Sequence, residues 1–261
     1  MEATILKINN QEAGKKKLPK QFEEVVRPDL IKRAVMSIIS RKRQAYGSKP
    51  EAGQRASAKL SRRRRDYKGS YGLGISRVPR KILSRRGTRM NWVGAVSPGT
   101  VGGRRAHPPK SGKDWEQKIN RKENQKAIRS CLAASVSKQW VEKKPATFPF
   151  IAEKQLEQIT ETKTLKQALN AYGIEYDFER NIRVGKAKAR GRKYKSGRGT
   201  LIVVSGQCPL IRSAANLKGI EVCDIHKINA ELLAPGAKPG RLTIYTEASI
   251  EALEKEKLYE S

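Results

Sequence analysis

A stretch of 72 residues, Arg41 to Gly112, has too much charge and too little apolar patterning to form a folded core by itself. It holds 20 lysines and arginines, 11 glycines and only two acidic residues, Glu51 and Asp66. Its apolar residues follow neither the spacing of a helix nor the alternation of a strand, so we predict no helix or strand here. The glycines add conformational entropy that folding has to remove. The rest of the chain must therefore supply the folded domain.

The net charge of this stretch, +18, indicates its partner. Arg62 to Arg65 repel one another in water, so an extended conformation becomes favourable when a dense polyanion neutralises them. Nucleic acid is such a polyanion, and Tyr46, Tyr67, Tyr71 and Trp92 could stack on unpaired bases. The alternative is a solvated linker with a localisation signal at Arg62 to Arg65, but a linker does not need 20 cations along its whole length.

The candidate nucleic-acid contacts in this stretch are 18 of its cations, two aromatic residues and one histidine. They are Arg41, Arg43, Tyr46, Arg55, Lys59, Arg62, Arg63, Arg64, Arg65, Lys68, Arg77, Arg80, Lys81, Arg85, Arg86, Arg89, Trp92, Arg104, Arg105, His107 and Lys110. A second basic run, from Arg180 to Gly199, has nine lysines and arginines and no acid. We interpret it as a second phosphate-contacting arm, the alternative being a solvated surface loop. Its candidate contacts are Lys186, Lys188, Arg190, Arg192 and Lys193.

The flanking segments, residues 1–40 and 113–261, carry apolar patterns typical of one globular domain. From Pro28 onward, apolar residues recur at spacings of three and four and predict a helix with one buried face. We expect a strand over Thr4 to Ile8, a basic turn at Lys15 to Lys17, a helix within Asp114 to Trp140, and short helices over Glu153 to Ile159 and Leu165 to Tyr172. Thr164 is the expected N-cap of the last of these helices, and Gly173 its left-handed end.

The last third of the chain alternates strands and helices. The predicted order is strand Leu201 to Ser205, helix Leu210 to Leu217, strand Ile220 to Cys223, helix Ala230 to Leu233, strand Leu242 to Tyr245 and helix Glu247 to Tyr259. Such alternation predicts an α/β fold: a parallel sheet with helices on both faces, interrupted by a long extended basic internal loop. Thr246 is the expected N-cap of the closing helix, on which Glu251 could pair with Lys255.

The sequence offers no catalytic or cofactor site. It lacks G-x-G-x-x-G after a strand and any G-x-x-x-x-G-K-[ST], and its two histidines, His107 and His226, lie outside any nucleophile motif. The three cysteines are widely spaced, so we predict no zinc and no disulfide. No apolar run is long enough to span a membrane. We expect a soluble, intracellular protein that has no cofactor or bound metal, makes no membrane contact and is not an enzyme.

Four segments in order resemble the family of the universal large-subunit ribosomal protein number four, in its archaeal form. The segments are Arg27 to Val35, Gln44 to Gly47, Ser76 to Arg80, and Gly102 to Lys110 with its sequence Gly-Gly-Arg-Arg-Ala-His-Pro-Pro-Lys. The resemblance implies an early-assembling rRNA binder in the large ribosomal subunit, in the cytoplasm, with neighbouring subunit proteins. It also implies that residues 41–112 thread between rRNA helices to the wall of the peptide exit tunnel. The tip, which would face the nascent peptide, includes Tyr67, Tyr71, Gly72 and Arg77.

Two other classes of function stay open at this stage. A chromatin or duplex-DNA condensing protein would also be strongly basic, although disordered basic segments of that kind are usually terminal. An α/β enzyme with a basic insertion would need a substrate site, and the sequence shows none.

Overall fold

The structure is a computed structural model that describes residues 1–87, 89–174 and 181–260. It divides the chain into two compact units. Unit 1 consists of residues 1–42 and 116–261, and unit 2 of residues 43–115. The ends of the predicted loop, residues 41 and 112, lie close to these boundaries.

Unit 1 contains most of the regular structure. Its first half comprises β1 (Glu2–Leu6), β2 (Glu12–Lys17) and α1 (Pro28–Lys42). Unit 2 contributes one hairpin, β3 (Arg80–Arg86) and β4 (Arg89–Gly94). The chain then re-enters unit 1 with α2 (Arg121–Val136), β5 (Phe150–Ala152), α3 (Thr162–Ala171), β6 (Asn181–Ile182), α4 (Lys186–Ala189) and β7 (Tyr194–Lys195). It closes with β8 (Leu201–Val204), α5 (Leu210–Ala214), β9 (Glu221–Asp224), α6 (Ala230–Leu233), β10 (Thr243–Thr246) and α7 (Glu247–Lys255).

A six-stranded sheet organises unit 1 in the order β2-β1-β5-β10-β8-β9. The β1–β5, β5–β10, β10–β8 and β8–β9 pairs are parallel, and β2 is an antiparallel edge strand. The prediction of an α/β fold with a mostly parallel sheet is therefore confirmed.

The sheet is covered on both faces, as the side chains of β8 show. Leu201 and Val203 point into one apolar cluster, which includes residues of α1, α2 and α7. Ile202 and Val204 point into a second cluster, which includes residues of α3 and α5. All four residues of β8 are buried, as expected for a central parallel strand that reads as a continuous apolar run.

Four local predictions are wrong. Lys15 to Lys17 belong to strand β2, where the exposed Lys15 and Lys17 are tolerated because the strand lies at the sheet edge. Thr164 lies inside α3, where Glu161 is the N-cap residue, although Gly173 is left-handed as predicted. Glu251 pairs with Lys16 and Lys154 rather than with Lys255. The region predicted to lack strands contains the β3–β4 hairpin, whose bulge near residue 83 interrupts the alternation.

Several boundaries also differ from prediction. The strand predicted over Thr4 to Ile8 spans Glu2–Leu6. The helix predicted within Asp114 to Trp140 is found there, at Arg121–Val136. The segment predicted as helix over Glu153 to Ile159 is a 3-10 helix, Lys154–Gln158.

Within the described residues, no helix is both long and apolar enough to cross a membrane. Arg180, the predicted start of the second basic run, lies outside the described residues.

Candidate nucleic-acid interface

The chain leaves and re-enters unit 1 at one place, the C-terminal end of α1. Ser37 Oγ donates a hydrogen bond to the carbonyl of Gln117, and the Gln117 amide donates to Ser40 Oγ. Arg41 Nε lies 2.7 Å from a Glu116 carboxylate oxygen. The returning chain is thus held against the departing helix, and Arg41, a predicted phosphate contact, already has an anionic partner there.

Within unit 2, the two limbs next to these ends approach each other closely. The Ser48 amide donates to the Pro109 carbonyl at 3.0 Å. A Cβ on Gly47 would lie only 2.3 Å from the backbone nitrogen of Ser111, so no other residue fits there without movement of the backbone. The limbs are therefore paired along part of their length, and this pairing depends on a glycine.

An aromatic pair and a guanidinium form a cluster on these limbs. The rings of Tyr46 and Trp115 stack with centroids 4.9 Å apart and an interplanar angle of 26°. Arg43 Cζ lies 4.4 Å from the Trp115 centroid and 5.1 Å from the Tyr46 centroid. Arg43 and Tyr46 are predicted contacts, whereas Trp115 is a partner that sequence reasoning missed. The three side chains form a cationic, partly exposed aromatic surface.

Four consecutive arginines, Arg62 to Arg65, lie on a short closed loop. The Ser61 amide donates to the Lys68 carbonyl at 3.2 Å, and the Gly69 amide donates to the Asp66 carbonyl at 3.0 Å. All four arginine side chains are exposed. The loop therefore holds a dense group of cations at the surface of unit 2.

Asp66 closes this loop with its side chain. Its Oδ2 accepts a hydrogen bond of 2.5 Å from Ser61 Oγ, and its Oδ1 accepts one of 2.7 Å from the Tyr67 amide. The hydrogen bond from Ser61 and that from the Tyr67 amide lower the pKa of this carboxyl, with a smaller contribution from Arg63. The loop geometry therefore stabilises the ionised form of Asp66 relative to its protonated form.

The hairpin contains a predicted phosphate contact whose guanidinium is used inside the unit. Arg80 is only 8% exposed, and its Nη2 donates to the Ser76 carbonyl at 2.6 Å. Its Nη1 donates to the Val78 carbonyl, and its Cζ lies 5.3 Å from the Trp92 ring centroid. These contacts fasten β3 to the segment that precedes it.

Both tyrosines predicted at the tip lie beside cations: Arg85 and Lys68 contact Tyr67, and Arg77 contacts Tyr71. Arg85 Nη1 donates to the hydroxyl of Tyr67 at 3.1 Å, and its Cζ lies 5.4 Å from that ring. Arg77 Cζ lies 4.8 Å from the Tyr71 ring centroid. Gly72, between these groups, is left-handed with φ of 78°. Tyr67 and Tyr71 nevertheless stay exposed, so part of each ring is accessible to a partner.

Most of the other predicted contacts are exposed. The exposed set comprises Arg41, Arg43, Tyr46, Arg55, Lys59, Arg62, Arg63, Arg64, Arg65, Arg77, Arg85, Arg86, Arg89, Arg105, His107, Lys110, Lys186, Lys188, Arg190, Arg192 and Lys193. Lys68, Lys81, Trp92 and Arg104 are half-buried, and Arg80 is buried.

The second basic run forms a small structured arm in unit 1. Strands β6 and β7 pair in antiparallel fashion, and the Arg183 amide donates to the Lys193 carbonyl at 2.8 Å. The tip between them carries α4. Val184, which is 89% exposed, and Tyr194, which is 52% exposed, leave apolar surface among the cations. The arm therefore offers both charge and stacking surface to a polyanion.

The usual ligand crevice of an α/β sheet is filled by the protein itself. The adjacent strands β8 and β10 lead to α5 and α7 on opposite faces, which is where open α/β sheets commonly bind nucleotides. Glu157 occupies this crevice. Its Oε1 accepts hydrogen bonds from the Ser205 amide and Thr246 Oγ1, and its Oε2 accepts one from Ser205 Oγ. An anionic ligand would have to displace a carboxylate that already has three donors.

The histidines and cysteines show no catalytic arrangement within the described residues. His226 lies between the carboxylates of Asp224 and Glu256, with both nitrogen–oxygen distances at 2.8 Å. These hydrogen bonds, that with Asp224 first, raise the pKa of the imidazole. Cys131, Cys208 and Cys223 carry free thiols, and burial raises the pKa of each. No group of three or more His, Cys, Asp or Glu in the described part of the chain is arranged to hold a metal ion.

Comparison with known families decides what this basic two-unit chain is. Residues 16–256 match the sequence model of the ribosomal protein L4/L1 family. The chain belongs to the ribosomal protein L4/L1 family.

Curated relatives in the L4/L1 family agree over almost the whole length. The large ribosomal subunit protein uL4 of Nanoarchaeum equitans is 42% identical over 268 residues, which cover 99% of this chain and 100% of the relative. That of Archaeoglobus fulgidus is 37% identical and covers 97% of this chain and 98% of the relative. That of Methanococcoides burtonii is 39% identical, with 97% of both chains covered. The resemblance to an archaeal member of the family is therefore confirmed.

Membership of the L4/L1 family also settles the class of protein. The family consists of ribosomal proteins, so the prediction that the chain is not an enzyme is confirmed. The residues that sequence reasoning missed are those that organise the cations: Asp66, Trp115 and Glu116. The sequence does contain a signal for Asp66, because it is one of only two acids in a strongly basic stretch and directly follows four arginines.

Proposed function

We propose that this chain is a structural component of the large ribosomal subunit, in the cytoplasm, and that it binds large-subunit rRNA there. Its family and the names of its relatives support this role. The observation that carries the rRNA contact is the closed loop on which Asp66 holds Arg62 to Arg65 exposed. Because phosphate contacts dominate the affinity of proteins for nucleic acids, such a loop is a strong attachment point.

The proposal extends to the course of the basic stretch. Residues 41–112 form an internal rRNA-binding loop that joins the subunit early in assembly and threads between rRNA helices to the peptide exit tunnel. Phosphate contacts come from the paired limbs and the arginine loop of this stretch. The separate arm of residues 181–195 in unit 1 supplies more of them. The exposed faces of Tyr67 and Tyr71, with Gly72 and Arg77, lie beside the nascent peptide. Neighbouring subunit proteins are further partners.

Salt dependence tests the phosphate contacts. If on the order of 6–10 cations meet phosphates, raising salt from about 50 to 200 mM should weaken binding to large-subunit rRNA by roughly 10³–10⁵. Filter binding at several salt concentrations gives the slope of the logarithm of the binding constant against the logarithm of the salt concentration. Replacing Arg62 to Arg65 by Gln should reduce the slope by about 3, while replacing Lys138, Lys163, Lys166 and Lys255, which are exposed on unit 1, should leave it nearly unchanged.

Sedimentation from cells tests the biological assignment. The protein should remain with the large subunit after a high-salt wash, and the arginine variant should be depleted from that fraction. Recovery with chromosomal DNA instead, together with equal affinity for duplex DNA and rRNA, would support a duplex-condensing protein and contradict the proposal.

A further inference from the structure

Tyr46 and Trp115 form a stacked pair in unit 2 that does not belong to a hydrophobic core. The other two ring pairs of the described residues are buried and meet at 90° and 45°. Tyr46, in contrast, is 51% exposed, and its ring is close to parallel to that of Trp115, at 26°. Because Trp115 covers one face of Tyr46, we assign the exposed surface of Tyr46 to the opposite face.

Arg43 lies beside this pair and leaves that face open. Its Cζ is 4.4 Å from the Trp115 centroid and 5.1 Å from the Tyr46 centroid, and the two centroids are 4.9 Å apart. A group beyond either ring would be much farther from the second ring than from the first, so the guanidinium lies at the edges of both rings. Its side chain is exposed, and none of the ion pairs among the described residues includes it. The cluster therefore has a cation next to an open ring face.

The other exposed tyrosines of the basic segments do not have a second ring behind them. Tyr67, Tyr71 and Tyr194 contact the ends of lysine and arginine side chains instead. A stacked indole holds the orientation of a ring more firmly than a flexible cation does. The entropy lost when a further ring stacks on Tyr46 is correspondingly smaller.

The two stacked rings come from different limbs of the basic stretch. Tyr46 lies on the departing limb, and Trp115 lies at the end of the returning limb. Next to them the Ser48 amide donates to the Pro109 carbonyl at 3.0 Å, and a Cβ on Gly47 would lie 2.3 Å from a backbone nitrogen of the returning limb. The cluster is therefore complete only when the limbs are paired, and a ligand that needs the complete cluster stabilises the paired state.

An unpaired nucleotide matches both parts of this cluster. Its base has a flat face that can stack on an aromatic ring, and its phosphate can bind a guanidinium. A base inside a duplex has neighbours on both faces, so only a single-stranded or splayed-out nucleotide fits. The open apolar surface is that of one ring, which is too small for the centre of a protein interface. Lys110 and Lys113, both exposed, continue the positive surface along the returning limb.

We propose that Arg43, Tyr46 and Trp115 bind one unpaired nucleotide of the RNA. Its base stacks on the open face of Tyr46, which Trp115 supports from behind, and its phosphate meets Arg43. Binding stabilises the pairing of the two limbs. The site deepens the proposed function and rests on it, because the RNA is that of the large subunit.

Affinity of the full chain for two RNA probes tests the stack. The probes are a single-stranded oligoribonucleotide of mixed sequence and the duplex that it forms with its complement. Tyr46→Leu should weaken binding of the single strand roughly tenfold, because it removes one base–aromatic stack, and should leave binding of the duplex unchanged. Tyr46→Phe keeps the ring and is the matched control, which should bind both probes like the wild type. Circular dichroism and melting temperature establish that each variant is folded.

Two further measurements test the shared construction of the site. Trp115→Leu should also weaken binding of the single strand, and its combination with Tyr46→Leu should weaken it by less than the product of the single effects, because both residues act on one stack. Hydrogen exchange of the Ser48 amide should slow when the single strand saturates the wild type or Tyr46→Phe, and should slow less in saturated Tyr46→Leu. Independent effects, or equal slowing in the two variants, would contradict the coupling between nucleotide and limbs.

The outcomes separate this site from the proposed function. If large-subunit rRNA binds with the expected salt dependence but Tyr46→Leu and Tyr46→Phe bind the single strand equally well, the site is wrong and the function stands. The same holds if Tyr46→Leu loses as much affinity for the duplex as for the single strand, since the residue then acts only on the structure of the limbs. If the chain binds no large-subunit rRNA, both proposals fail.

Discussion

The guanidinium of Arg80 lies over the ring of Trp92, and three of its hydrogen bonds go to Ser76 and Val78 rather than outward. A cation in the middle of a basic stretch thus holds the hairpin in place. Experiment can distinguish this positioning role of Arg80 from a direct contact with phosphate.

Arg80→Ala should destabilise the hairpin by about 1–3 kcal/mol, because it removes the charged hydrogen bonds from the buried guanidinium to the carbonyls of Ser76 and Val78. Hydrogen exchange of the amides in β3 and β4 should accelerate in the free protein. Arg89→Ala removes an exposed arginine from β4 and should weaken RNA binding without this acceleration. Equal exchange rates in the two variants would show that Arg80 has no positioning role.

Asp66→Ala should weaken rRNA binding even though it removes a negative charge from a basic loop. Simple electrostatics predicts tighter binding, whereas loss of the hydrogen bonds from Ser61 and Tyr67 frees the loop and spreads the arginines. We expect a several-fold loss of affinity at about 0.3 M salt, where long-range attraction is screened. Glu51→Gln removes the other acid of the stretch and is the matched control, for which affinity should be unchanged or slightly higher.

Trypsin provides a second measurement on the same loop. Cleavage after Arg62 to Arg65 should be faster in Asp66→Ala than in the wild type and unchanged in Glu51→Gln. If Asp66→Ala binds rRNA more tightly than the wild type, charge rather than geometry controls this loop.

Stability should fall in acid because of Glu251. Hydrogen bonds from Lys16 and Lys154 lower the pKa of this carboxyl to about 2, from an ordinary value of 4.5. A carboxyl with a lowered pKa contributes stability that is fully present above pH 4.5 and is lost as pH falls toward 2. Because the ion pairs are partly exposed, the contribution is about 1 kcal/mol. Chemical denaturation of Glu251→Gln and wild type should differ at pH 7 and converge near pH 2.

The control for the acid effect is Glu254→Gln, an exposed glutamate on the same helix. Its unfolding free energy should match the wild type throughout this pH range. A constant difference between Glu251→Gln and wild type from pH 7 to pH 2 would contradict the role assigned to the ion pairs.

The tip and the arginine loop should have separable effects. Tyr71→Ala with Arg77→Ala removes a cation–aromatic pair but leaves Arg62 to Arg65 in place. We expect incorporation into large subunits at near wild-type levels, with altered response to stalling nascent peptides or to drugs that bind in the tunnel. The arginine-to-glutamine variant should instead reduce incorporation. Sucrose-gradient profiles and a stalling reporter measure the two effects, and an equal loss of incorporation would remove the distinction.

Regular apolar spacing was sufficient to predict the central elements of the fold. Helix α1 begins at Pro28 and α6 spans Ala230–Leu233, as the sequence indicates. Strand β2 escaped prediction because an edge strand can be almost entirely charged and exposed. The three-residue strand β5 was too short to show a period, and the bulge in β3 breaks the alternation on which prediction of the hairpin depends.

The candidate interface was predictable in its charges but not in its organisation. Composition alone identifies the exposed cations, because lysine and arginine at such density remain in water. It does not show that Arg80 turns inward or that Trp115 stacks on Tyr46, since these contacts join residues brought together only by the fold.

Because the carboxylate of Glu157 fills the sheet crevice, the stability of this part of the sheet does not depend on a soluble anionic ligand. A fold whose crevice binds a soluble nucleotide gains stability in proportion to ligand occupancy, so its folded fraction follows the concentration of that ligand. In this protein the anion is the Glu157 side chain itself, so it is in place whenever the sheet is folded. The globular unit therefore obtains the contacts of this crevice from its own chain, whatever the concentration of soluble nucleotides.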